Sequence, residues 1–115
     1  MGQIKGQRKG LSVWNVGDKE YHRLYNTVIV DFNHDSEGRT VTLNTGGWKT
    51  NHTKNCMNDF LKRFGFKVYQ KDFVWYVMGR EVSFMFDVDK ITFTVIDTPN
   101  GWQIGNYKEQ VIRTA

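Results

Sequence analysis

Apolar side chains recur at every second position through most of this chain, and at every third or fourth position through one stretch. Leu24–Phe32 is rich in Val, Ile, Tyr and Thr, with Val28, Val30 and Phe32 on one face, which predicts a strand. Asn33-His34-Asp35-Ser36-Glu37-Gly38 is turn chemistry, so Arg39–Asn44 pairs back as a hairpin, Val41 and Leu43 facing in and Thr40 and Thr42 facing out. Leu11–Val16 reads as a short strand, and the polar stretch Asn15–His22 as a connection. Between about 51 and 64 the period changes: Cys56, Met57, Phe60, Leu61 and Phe64 share one helical face. Asn51 or Thr53 is the expected N-cap and Gly65 the left-handed C-cap, with Lys62 and Arg63 at the negative end of the dipole. Alternation then returns in 66–70 and 73–77, flanking Lys71-Asp72 as a two-residue turn, and in 81–86 and 91–96. Asp97-Thr98-Pro99-Asn100-Gly101 turns the chain once more, into a short edge strand over 102–104. Strands, one helix and a meander of strands predict an α+β domain: an antiparallel sheet of about five to seven strands with one amphipathic helix, 51–64, packed on it.

Composition narrows the class. At 115 residues, 39% hydrophobic and 15% aromatic, the chain fits one folded domain and is too apolar for intrinsic disorder. One proline and one cysteine exclude collagen-like and disulfide-stapled architectures and suit a reducing compartment. No apolar run approaches the roughly 18 residues of a membrane span, and Met1–Gly10 lacks the apolar stretch of a secretory signal. The net charge of +4 is unevenly spread. Residues 1–10 carry Lys5, Arg8 and Lys9 with no acid and read as a flexible basic arm ahead of a domain over 11–115. Residues 39–71 are basic apart from Asp59, and 72–97 are mainly acidic, a two-signed pattern that steers partners or simply solvates the surface.

Candidate chemistry concentrates where strand gives way to helix. In Leu43-Asn44-Thr45-Gly46-Gly47-Trp48-Lys49-Thr50, paired glycines ahead of a helix N-terminus suit an anion contact or a tight turn with Trp48 over the helix start. A nucleotide-binding phosphate loop does not fit, because Trp48 stands where the glycine before the lysine is required. Lys54 and Lys62 lie two turns apart, and with Arg63, Trp48 and Tyr69 they suggest a phosphate-tracking surface with stacking platforms. His22, His34 and His52 have no ligand spacing, so no metal and no cofactor is expected. His52 and Cys56 are four apart on the helix, but Cys56 falls on its apolar face, so the chain reads as no enzyme. In Phe73-Val74-Trp75-Tyr76-Val77 both faces are apolar, which suggests a curled sheet or an aromatic face left for a partner such as a homodimer.

The strings 42–50, Thr53-Lys54, Met57-Asn58 and 68–77 together resemble small uncharacterised proteins encoded by tailed bacteriophages, over roughly residues 25–78. The resemblance carries no catalytic or binding residue across. It implies a setting, the bacterial cytoplasm, and a kind of role: an accessory protein that binds and modulates or inhibits a host protein, a defence complex or a nucleic acid. The residues expected to make that contact are Trp48, Lys49, Lys54, Lys62 and Arg63, with Lys5, Arg8 and Lys9 as accessory contacts. A DNA- or RNA-binding protein using the same basic helix surface is the alternative, and a small nuclease or hydrolase the weaker third.

Overall fold

The computed structural model describes residues 8–35, 38–86 and 88–110, with the backbone alone for 108–110. Among these residues nine strands form two antiparallel sheets. β1 (Leu11–Val16), β2 (Lys19–Leu24), β3 (Thr27–Asp35), β4 (Gly38–Asn44), β8 (Lys90–Thr98) and β9 (Gly101–Gln110) make a six-stranded sheet in the order β1-β2-β3-β4-β8-β9. β5 (Lys67–Lys71), β6 (Val74–Met78) and β7 (Ser83–Met85) make a three-stranded sheet. The one helix, α1 (Asn51–Leu61), runs into a 3-10 turn, Lys62–Phe64, and Gly65 ends it in the left-handed conformation at φ 80°. The α+β class, antiparallel pairing and single helix over 51–64 are those the periodicity predicts. The strands, however, divide between two sheets, and the described residues hold nine of them.

The core lies against one face of the large sheet. Leu24, Val30, Phe32, Val41, Leu43, Ile91, Phe93 and Val95 point inward from the sheet, and Met57, Phe60, Leu61 and Phe64 meet them from the helix. The small sheet adds Val68, Trp75, Val77 and Phe84 to the same core. Phe60 sits at the junction, its ring 5.2 Å from His22, 5.3 Å from Phe32 and 5.7 Å from Phe64, each edge to face. The opposite face of the large sheet carries Thr40, Thr42, Thr92 and Thr94, half-buried, with Thr42 and Thr92 hydrogen-bonded at 3.0 Å. One apolar and one polar face is the usual arrangement for an antiparallel sheet open to water on one side.

Local departures from the sequence pattern have physical causes. Asn15–His22 is no connection: β1 and β2 form a hairpin around Gly17-Asp18, and His22 and Leu24 point into the core. The helix is capped by Thr50, whose hydroxyl accepts from the Thr53 N–H at 3.2 Å, rather than by Asn51 or Thr53; Thr53 is buried. The β5–β6 turn is Asp72-Phe73, one residue later than expected, with both residues at positive φ (53° and 68°), as a type I′ hairpin requires. β9 is ten residues long, not a short strand over 102–104. It continues past a register shift opposite Phe93/Val95, where Gly105 approaches so closely that a Cβ would collide with Thr94 and Ile96. The turn expected over Asn33–Gly38 is shorter than its composition suggests: Asn33, His34 and Asp35 continue β3 and Gly38 opens β4, paired across the ladder, while Ser36 and Glu37 lie outside the described residues.

Candidate binding surfaces

The loop before the helix is held by its own side chains. Asn44 Oδ1 accepts from the Gly46 N–H at 2.9 Å, and Thr45 Oγ1 from the Gly47 N–H at 3.1 Å. Gly46 and Gly47 take φ 62° and 86°, and a side chain at Gly46 would strike Thr27. The two amides that an anion would need are therefore already satisfied within the turn. This geometry throws Trp48 outward, 68% exposed, instead of packing it over the helix start. Trp48 flanks a groove of about 330 Å³ with Leu24, Tyr25, Ile29, Thr45 and His52 along it. Tyr25, itself at φ 53° and 57% exposed, lines the same groove, its ring tilted against that of His52 at 6.3 Å. Lys49 is exposed beside Trp48, and Lys54 is half-buried in the helix's first turns, where no acid occurs in the first turn.

Arg63, at the other end of the helix, is tied into the fold. Arg63 forms a fork with Glu20 on β2 (Nη1–Oε1 2.9 Å, Nη2–Oε2 2.8 Å), donates from Nε to the Phe60 carbonyl, and lies 4.3 Å from the Phe60 ring. It is a structural clamp between the helix end and the sheet, not a residue held out to phosphate. Glu20 also meets His22 Nε2 at 2.6 Å. Burial pushes the Glu20 carboxyl up, but hydrogen bonds from Arg63 and His22 outweigh it and hold the group below its ordinary range. Burial pushes His22 down, against the pull of Glu20. The reason is geometric: Nδ1 of His22 is buried with no partner among the described residues, so protonation would place an unsatisfied N–H in the core.

Arg8 is likewise engaged, with Nε 2.7 Å from Asp59 Oδ2 and its own ionisation pushed up by that hydrogen bond. The Lys9 carbonyl accepts from His52 Nε2 at 2.8 Å, and the Gly10 carbonyl from the Tyr25 N–H at 2.8 Å. Residues 8–10 thus dock on the domain where composition alone suggests a free arm; Lys5 lies outside the described residues. Lys62 is exposed beside Arg8, Asp59 and Lys67 on a shallow surface. It lies eight positions along the chain from Lys54, about 12 Å at the helical rise. The structure therefore splits the sequence candidates: Trp48, Lys49 and Lys54 at one end of α1, Lys62 and Arg63 at the other.

Cys56 is fully buried, and burial pushes its thiol up. Among the described residues no group of three His, Cys, Asp or Glu could hold a metal. The expected aromatic face of β6 is partly self-covered: Trp75 and Val77 are buried, and Tyr76 stacks on Tyr69 at 5.2 Å.

Sequence reasoning passed over a second surface, on the outward face of the β1–β2 hairpin. Trp14 stacks on Tyr21 across the strands at 5.4 Å, with Arg23 5.8 Å from the Trp14 ring and Lys19 6.0 Å from that of Tyr21. The signal was present as alternation through Lys19, Tyr21 and Arg23, but hidden by the polarity of the stretch.

The chain is thus a small α+β protein with one open sheet face and an aromatic groove. The chain belongs to the Kyanoviridae Gp96 protein family, a family of phage-encoded proteins whose model matches residues 12–98, most of its length. No curated protein and no solved structure matches it. No helix among the described residues is long and apolar enough to cross a membrane.

Proposed function

We propose that this is a non-enzymatic phage accessory protein that acts in the cytoplasm of the infected bacterium, where it binds a host or defence macromolecule and modulates or inhibits it. The observation that carries this reading is the groove between Trp48 and Tyr25. Two large aromatics, 68% and 57% exposed, stand over an apolar trough, with Lys49 and Lys54 beside it. Exposed aromatic anchors around a desolvated pocket are the usual hot spots of protein interfaces, and flanking cations favour an acidic partner surface with an apolar side chain to insert. A tagged pull-down from host lysate, with and without nuclease, tests it. A partner protein retained after nuclease and lost with W48A/Y25A is the expected result. Retention by a folded W48A/Y25A protein would overturn the groove as the contact.

A second reading, direct nucleic-acid binding, is favoured by the row Arg23, Trp14, Tyr21 and Lys19 on the open sheet face rather than by the helix. Aromatic platforms flanked by cations suit single strands, and binding of that kind weakens steeply with salt. Capture that disappears with nuclease and with Y21A/R23E would select this reading.

A further inference from the structure

The β5–β6 hairpin ends in a turn that no glycine relieves. Asp72 and Phe73 take φ 53° and 68°, the left-handed region where a type I′ turn favours glycine or asparagine. Phe73 is also 93% exposed, so its own chain covers almost none of the ring. Further along β6, Trp75 and Val77 are buried and Tyr76 stacks on Tyr69, which leaves the tip as the uncovered part of the apolar run. Backbone strain held at an exposed aromatic side chain marks a contact residue, because neither cost is offset within the chain.

The chain also carries a socket of matching chemistry. The groove lined by Trp48 and Tyr25 holds about 330 Å³, at the small end of the roughly 300–1,000 Å³ of ligand pockets, which suits one large apolar side chain. Among the described residues no acid lines it. Thr50, His52 and Thr53 bring the N-terminal end of α1 to the groove, with no acid in the first helical turn and Lys49 exposed next to Trp48, so its rim favours negative charge. The hairpin tip carries that charge: Asp72 is exposed next to Phe73, while Lys71 stands one step back, paired with Val74.

Knob and socket rise from neighbouring parts of the fold. The Phe86 N–H donates to the Trp75 carbonyl, and three residues on the Asp89 carbonyl accepts from the Thr45 N–H. By chain reach Trp75 and Thr45 lie within about 20 Å of each other, in a molecule 38 Å along its longest axis.

We propose that Phe73 of one copy enters the Trp48–Tyr25 groove of a second copy, whose own Phe73 enters the groove of the first, about a two-fold axis. Each insertion buries a ring among Trp48, Tyr25, Leu24 and Ile29 and brings Asp72 to the positive end of the facing α1. Both knobs and both grooves are then used, so the assembly closes at two copies. The contact is small beside the roughly 1,600 Å² of a standard complex, which places the affinity at about micromolar or weaker. Self-pairing covers the surface a host partner would use, so pairing and capture compete. The inference rests on that groove as a contact site, not on the identity of the host partner.

Sedimentation velocity of the purified full chain, from micromolar to near-millimolar, is the test. The wild type is expected to move from one chain mass toward two. F73G removes the ring while relieving the positive φ, W48A opens the groove at an exposed position, and each alone is expected to stay at one chain mass. An equimolar mixture of the two should pair, more weakly than the wild type, because F73G keeps a groove and W48A keeps a knob. A wild type that stays at one chain mass throughout, F73G that pairs as the wild type does, or a mixture that stays at one mass would overturn the proposal; growth beyond two masses would overturn the two-fold closure. Host protein retained by W48A/Y25A would count against the functional reading alone and leave these masses unchanged.

Discussion

Replacing Arg63 with alanine separates a structural clamp from a binding residue, because the two roles predict opposite outcomes. The guanidinium makes two charged hydrogen bonds to Glu20, at 2.9 and 2.8 Å, and lies on Phe60. Its side chain is 42% exposed, so screening discounts its half of the pair to about 0–1 kcal/mol. Glu20 is only 14% exposed, and leaving a buried charge short of a partner costs about 1–3 kcal/mol. Loss of the stem's packing on Phe60 adds to this. We therefore expect R63A to lose about 1–2 kcal/mol, a part of the roughly 5–15 kcal/mol that holds a domain together. In urea, where m is about 1–3 kcal/mol/M, the midpoint should fall by roughly 0.5–1.5 M. R63K keeps the charge but not the fork and should fall between. Equilibrium unfolding at neutral pH is the assay, with partner capture measured well below the melting transition. Stability within about 0.3 kcal/mol of wild type, together with lost capture, would refute the clamp and return Arg63 to the contact surface.

Stability should fall as the solution is acidified. His22 is held below its ordinary 6.5, so the unfolded chain takes up a proton first as pH drops through that value; Glu20, held below 4.5, adds a second loss further down. A urea midpoint unchanged between pH 7 and 5 would contradict this, and E20Q should flatten the lower limb. Phe73 sits at φ 68° and 93% exposed, so F73G should stabilise the hairpin by about 0.5–1 kcal/mol, left-handed strain outweighing the glycine entropy; a lower melting temperature would count against it. T50A should cost about 1 kcal/mol through the lost cap while N51A costs little, and equal effects in thermal melts would argue against Thr50 as the cap.

The class of the fold was legible because period-two and period-3.6 patterns need only local spacing. The helix over 51–64 and the pairing of β3 with β4 follow from side chains that must face one core, whatever that core is. Gly65 announces the helix end because only a left-handed residue can end it there. What local spacing does not carry is which distant group answers a polar residue. β2 was hidden because Glu20 and His22 are polar on its inward face, and they become tolerable only when Arg63, 43 positions away, closes on Glu20. The same contact withdraws Arg63 from the surface, as Asp59 withdraws Arg8 across 51 positions. Trp48 was singled out by its sequence, but its groove needs Tyr25 from the β2–β3 turn. The division into two sheets was likewise decided by long-range packing. A strand's alternation fixes the faces it shows, while its neighbours are chosen by the whole chain.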